Sequence, residues 1–211
     1  MSRVPAERGQ ALIDAHRAAF AAEWVETVPR KFRPARVTDL APEATAVIAE
    51  WMDPASTLNT ITFAGDFGRG KTHAAYAAMY EVAAMYGAYR YVSDGGGVRT
   101  APRLMAVTVT DMLDALMPGA QSPLRFEDLC DTPYLLLDDL GAEKMTDWKQ
   151  DRLTSLINHR WNDEVHTIVT TNLSADELES RLGGRIADRL LDESCSAVVI
   201  VGGPSRRRTA A

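Results

Sequence analysis

Cysteine is nearly absent. The two present, Cys130 and Cys195, lie far apart and form no C-x-x-C pair. That spacing argues against a disulfide framework and against a cysteine zinc site, and it fits a reducing cytoplasm. Long hydrophobic runs are missing too. None approaches the ~20 residues a membrane helix needs, and the first residues show no apolar core of a signal peptide. A cytoplasmic protein without a membrane partner is expected. An excess of positive charge is also lacking. At a net charge of −6 the surface as a whole is not polycationic, so contact with nucleic acid must come from local basic patches. Lysine is scarce, 4 against 19 arginines, which reads as genome composition rather than chemistry.

What is present suits one folded domain with a short extension. Hydrophobic residues at 46% supply a core, and charged residues at 25% do not suggest disorder. The stretch that organises the chain is Gly65-Asp66-Phe67-Gly68-Arg69-Gly70-Lys71-Thr72. An apolar run, Ile61 to Ala64, precedes it and reads as a buried strand. An Ala-rich segment, His73 to Met85, follows and reads as a helix. Strand, glycine-rich loop and helix are the context that G-x-x-x-x-G-K-[ST] requires. Glycines let backbone N–H groups turn inward around a phosphate, and the helix start adds its dipole. Lys71 brings a cation to the β- and γ-phosphates, and the Thr72 hydroxyl is a hard oxygen ligand suited to Mg²⁺.

Ahead of this loop, residues 5–27 carry Leu12, His16, Phe20 and Trp24 at i, i+4 spacing, an amphipathic helix ending before Pro29. It either packs on its own domain or docks its stripe into a groove on a partner. Arg30 to Arg36 is a basic connector with one aromatic, read as a solvated linker or a single-strand contact. Pro42 fits the first turn of a helix bearing Val47, Ile48, Trp51 and Met52. Behind the loop, Tyr89–Val92 and Val98–Thr100 flank a glycine tip and predict a hairpin, ornamental or DNA-touching. Met105–Val109, Tyr134–Asp139, His166–Thr170 and Ala197–Val201 predict further strands. Helices alternate with them: Thr110–Leu116, Leu124–Leu129, Asp147–Asn162 capped by Thr146, one opened by the capping box Ser174/Glu177, and Arg185–Leu191. This alternation implies an α/β protein, with a parallel sheet covered on both faces.

The run Leu135-Leu136-Leu137 ends in Asp138-Asp139. Carboxylates there stand at the carboxyl edge of the sheet, where Asp138 would hold Mg²⁺ and Asp139 would orient or deprotonate a water. Asp139 also reads as a turn residue before Gly141, and Glu143 is a weaker candidate base. Asn172, ending the neighbouring strand, is placed to bond the water or the γ-phosphate, or simply to lead into the Ser174 cap. Arg185 and Arg189 share a helix face. They form surface pairs with Asp188 or Asp192, or enter a neighbouring subunit's site in a head-to-tail oligomer. Arg206-Arg207-Arg208 is a further cation source or a solvated tail.

Four stretches in this order, Gly65–Thr72, Leu135–Lys144, Thr167–Ser174 and Leu182–Leu190, resemble the AAA+ ATPases of the DnaC/DnaI helicase-loader family. The transposition helper IstB shares much of the pattern. The likeness covers roughly residues 30–208. It implies a P-loop NTPase core with five parallel strands in the order 5-1-4-3-2. It implies ATP held by Gly65, Asp66, Phe67, Gly68, Arg69, Gly70, Lys71, Thr72 and His73, with Mg²⁺ on Thr72 and Asp138. Catalysis would involve Lys71, Asp138, Asp139 and Asn172. The arginine finger maps to Arg189, with Arg185 second, and Arg206 is the nearest match to a sensor-2 arginine. Only about ten residues follow the last strand, so no helical lid is expected. Residues 1–29 are expected to be a helicase-docking element and 30–211 the ATPase core. The implied partners are a hexameric replicative helicase, single-stranded DNA, and further copies of the chain joined through ATP interfaces. The expected function is ATP-dependent helicase loading. A transposase-assisting ATPase, a P-loop small-molecule or nucleotide kinase, and a module that holds ATP with little hydrolysis are the alternatives.

Overall fold

The structure, a computed structural model, describes residues 6–93 and 98–202. The chain opens with α1 (Ala6–Thr27) and two 3-10 turns (Arg30–Phe32 and Val37–Asp39), followed by α2 (Pro42–Trp51). Pro42 stands in the first turn of α2, as its fixed φ favours. Strand β1 (Thr60–Ala64) leads into α3 (Lys71–Tyr86), then the antiparallel hairpin of β2 (Tyr89–Ser93) and β3 (Val98–Pro102). There follow β4 (Leu104–Thr108), α4 (Val109–Ala115), α5 (Phe126–Asp131), β5 (Tyr134–Leu140) and α6 (Asp147–Asn162). The described chain closes with β6 (His166–Thr171), α7 (Ala175–Leu182), α8 (Gly184–Leu190) and β7 (Ser196–Ile200). The Thr146 hydroxyl accepts the Lys149 N–H to cap α6, and Ser174 with Glu177 forms a complete capping box on α7.

The main sheet is parallel, in the order β4-β5-β6-β1-β7. With the hairpin set aside, the core strands in chain order run 5-1-4-3-2, as expected. Strand residues alternate between two cores. Ile61, Phe63, Leu136, Ile168 and Val199 point to one, packed with α2, α3 and the end of α1. Leu135, Leu137 and Val169 point to the other, packed with α4 through α8. The expected double-sided α/β architecture is therefore observed. Among the described residues no helix is long and apolar enough to cross a membrane.

Two details differ from expectation. The connector after α1 is not a solvated linker. Phe32 stacks on Tyr76 with ring centroids 5.0 Å apart, the Arg36 guanidinium lies 5.1 Å over Tyr80, and Ala35 is fully buried. Tyr76 and Tyr80 are one helical turn apart on α3, so together they offer a surface that an aromatic and an arginine can cover. Trp24 joins the same cluster, 5.2 Å from Tyr80 edge-on, which makes the end of α1 part of the core. The side chains of Leu12, His16 and Phe20 lie outside the described residues, as do residues 94–97 of the hairpin and residues 203–211. Helical spacing predicts a buried stripe of Leu153, Leu156, Ile157 and Trp161 on α6, but the buried face holds Leu153, Leu156, Ile157 and Arg160, and Trp161 is only half-buried.

Candidate functional site

The glycine loop runs from the end of β1 to the start of α3 at the carboxyl edge of the sheet. Gly65 has φ +134°, and a Cβ there would come within 2.8 Å of the Val201 carbonyl oxygen. A side chain is therefore excluded by both conformation and space. Gly70, at φ +103°, N-caps α3 in the left-handed region. Lys71 is buried at 7% exposure. Its Nζ donates to Gly65 O at 2.7 Å, Asp66 O at 2.8 Å and Asn172 Oδ1 at 2.6 Å. The ammonium thus closes the mouth of the loop on itself. Phe67 in the loop is 74% exposed, and Asp66 and Arg69 pair at 3.5 Å. His73 lies beside Asp39, 3.9 Å away.

The two acids come from the end of β5. The ladder between β5 and β6 shifts register between Leu137 and Leu140, so Asp138 and Asp139 sit in a bulge. Asp139 has φ +61°, a left-handed conformation rare outside glycine. Such bulges re-aim side chains near active sites. Asp138 Oδ1 accepts the Thr72 hydroxyl at 2.8 Å and the Thr170 hydroxyl at 2.6 Å. Asp139 Oδ1 accepts Asn172 Nδ2 at 3.1 Å, and Asp139 N donates to Thr170 Oγ1 at 2.8 Å. Lys71, Thr72, Asp138, Asp139 and Asn172 are thereby joined in one hydrogen-bonded group across three strand ends. Thr170, buried at 1% exposure, was not singled out from the sequence.

Glu143 is buried and accepts the Gly141 N–H through both carboxylate oxygens. Burial raises its pKa. It braces the turn after β5. A divalent cation bound with a triphosphate takes most of its ligands from phosphate and water, and one or two from protein. The adjacent oxygens of Thr72 and Asp138 suit that role. Among the described residues no group of three or more His, Cys, Asp or Glu could hold a metal unaided.

The arginines lie elsewhere. Arg189 stacks on Trp161 at 3.8 Å and pairs with Asp188 at 2.6 Å. Trp161 Nε1 in turn donates to Asp192. Arg185 is exposed on α8. Among the described residues neither arginine bonds to the loop or to the acids, and Arg206 lies outside them.

No protein-family model matches the chain. It is 43% identical over 49 residues to the replicative helicase loader DnaI of Bacillus subtilis (strain 168), a match covering 23% of the chain and 16% of DnaI. It is 22% identical over 133 residues to the replicative helicase loader DnaC of Escherichia coli (strain K12), covering 61% of the chain and 48% of DnaC. Each match thus spans less than half of the relative. Among solved structures, DnaI superposes with a TM-score of 0.66 at 22% identity, covering 85% of this chain and 94% of that one. The chain has the P-loop AAA+ fold of these proteins and resembles the DnaC/DnaI helicase loaders, as the four motifs indicate.

Proposed function

We propose that the chain is an ATPase that loads a replicative DNA helicase onto single-stranded DNA. The observation that carries this reading is the single hydrogen-bonded group linking Lys71, Thr72, Asp138, Asp139 and Asn172 at the sheet's carboxyl edge. The loop amides and Lys71 bind the triphosphate, with Lys71 exchanging Asn172 for phosphate oxygens. Thr72 and Asp138 would hold Mg²⁺, which supplies charge neutralisation on the β- and γ-phosphates. Asp139 then takes the proton of the attacking water, and Asn172 orients that water against the γ-phosphate.

Among the described residues neither Arg185 nor Arg189 bonds to the loop or to the acids, and on this reading a neighbouring copy supplies the arginine finger head-to-tail. Arg189 is the finger that the resemblance favours, but it is committed to Trp161 and Asp188. The exposure of Arg185 makes it the better presented of the two. ATP bound across such an interface stabilises the assembled state, and hydrolysis releases it. Residues 30–211 would be the ATPase core, and residues 1–29 the docking element. Because Trp24 belongs to the chain's own core, the docking stripe is Leu12, His16 and Phe20. Loops at the sheet edge would contact single-stranded DNA.

The test is to mix the chain with the hexameric replicative helicase of its own genome and measure complex mass. A defined complex with ATP that dissociates on hydrolysis is expected. Absence of a complex, with capture of a transposase from the same genome instead, would overturn the loader reading.

A further inference from the structure

We infer that Thr170 is a positioning residue that sets both acids of the site through a single hydroxyl. The inference rests on the ATPase reading above and adds a residue to it. Strand β5 loses its ladder to β6 between Leu137 and Leu140. A backbone N–H left without a strand partner inside a fold must find another acceptor. The Asp139 N–H finds the Thr170 hydroxyl, 2.8 Å away. The same hydroxyl sends its own proton to Asp138 Oδ1, 2.6 Å away. Donor and acceptor roles are thus both used, and they fall on consecutive residues with different tasks. One bond holds Asp139 in its left-handed conformation, with its carboxylate turned toward Asn172. The other fixes the Asp138 carboxylate beside Thr72.

Thr170 suits this role because it is rigid. It lies in the middle of the sheet, paired with Phe63 of β1, and is 1% exposed. A β-branched side chain in that setting has restricted χ1 freedom. Valine keeps the shape but has no hydroxyl, so it leaves the Asp139 N–H without its acceptor and takes a donor from Asp138. Serine keeps the hydroxyl.

The full chain is compared as wild type, Thr170→Val and Thr170→Ser, by three measurements. Hydrogen exchange at the Asp139 amide is read without nucleotide. ATP hydrolysis is read as kcat and KM, and the Mg²⁺ concentration for half-maximal rate is read at saturating ATP. In Thr170→Val the Asp139 amide is expected to exchange about tenfold faster or more, as loss of its only acceptor implies. The kcat falls by roughly 30-fold while KM for ATP stays within about threefold, the pattern of a group acting after binding. The half-maximal Mg²⁺ concentration rises, and Thr170→Ser returns all three measurements toward wild type. Unchanged Asp139 exchange in Thr170→Val, or a serine variant as impaired as valine, overturns the inference. Should Thr170→Val fail to fold, Thr170→Ala takes its place. If the wild type hydrolyses no ATP, the ATPase reading fails by itself, and Asp139 exchange still decides whether the hydroxyl holds the bulge.

Discussion

Lys71 Nζ and Asn172 Oδ1 stand 2.6 Å apart although 101 positions separate them in the chain. The other end of the same amide holds Asp139 at 3.1 Å. On the proposed function, Asn172 links the cation that would grip phosphate to the acid that would handle water, and phosphate arriving at Lys71 would break that link.

It follows that Asn172→Ala separates binding from turnover. Lys71 loses a competitor for phosphate, so ATP affinity is retained or tightened. Hydrolysis loses a positioned donor, worth roughly a hundredfold in kcat. Titration of ATP beside steady-state hydrolysis checks this, and an equal loss in both would contradict it.

The two arginines of α8 separate by stability as well as by rate. Arg185→Ala is expected to abolish hydrolysis that depends on assembly and to leave the melting temperature of the monomer unchanged. Arg189→Ala removes a stack on Trp161 and an ion pair, lowering stability by about 1 kcal/mol. Thermal unfolding and hydrolysis at rising protein concentration read both effects. Assembly-dependent hydrolysis that survives Arg185→Ala and fails in Arg189→Ala would place the finger one turn later.

Arg160 is fully buried and donates to the carbonyls of Leu129, Cys130, Thr132 and His166 and to the Thr167 hydroxyl. Burial pulls its pKa down to about 9. Arg160→Met fills similar volume yet leaves those acceptors unpaired, a loss of roughly 3 kcal/mol. Arg160→Lys recovers only part, since a single ammonium cannot reach all of them. Chemical denaturation measures both variants, and a methionine variant of wild-type stability would contradict the assignment.

Burial also holds the His166 imidazole below its ordinary value of 6.5, with the Arg160 charge adding to the effect. Its ring packs edge-on to Trp51 at 5.2 Å. Between the folded and unfolded pKa values the unfolded chain binds more protons. The stabilising contribution is thus fully present above about pH 6.5 and is lost as pH falls through the folded value. His166→Phe should flatten the decline in stability below pH 6.5, as followed by urea midpoints from pH 8 to pH 5. An identical slope in both proteins would count against this origin.

The parts of the site that depend on local chemistry were legible in the sequence. Gly65–Thr72 is readable because only glycines with a following Lys-Thr make that turn into a helix. Asp138 and Asp139 are readable because they break a run of leucines, and the Ser174 cap because its spacing to Glu177 is fixed. The parts that depend on distant partners were not. Thr170 looks like any β-branched residue in a strand, and its role appears only when the bulge in β5 lies beside it. Arg160 looks like a surface charge until five oxygen acceptors from α5, its loop and β6 converge on it. Phe32 sits in a basic stretch that gives no sign of the tyrosines on α3 awaiting it.

On the proposed function, Lys71 and the loop around it grip the triphosphate. ATP titration of wild type and Lys71→Ala, with Mg²⁺ present, tests it most directly. Saturable binding by the wild type, weakened about a hundredfold or more without the ammonium, is the predicted result. Equal affinity in the two proteins would contradict it.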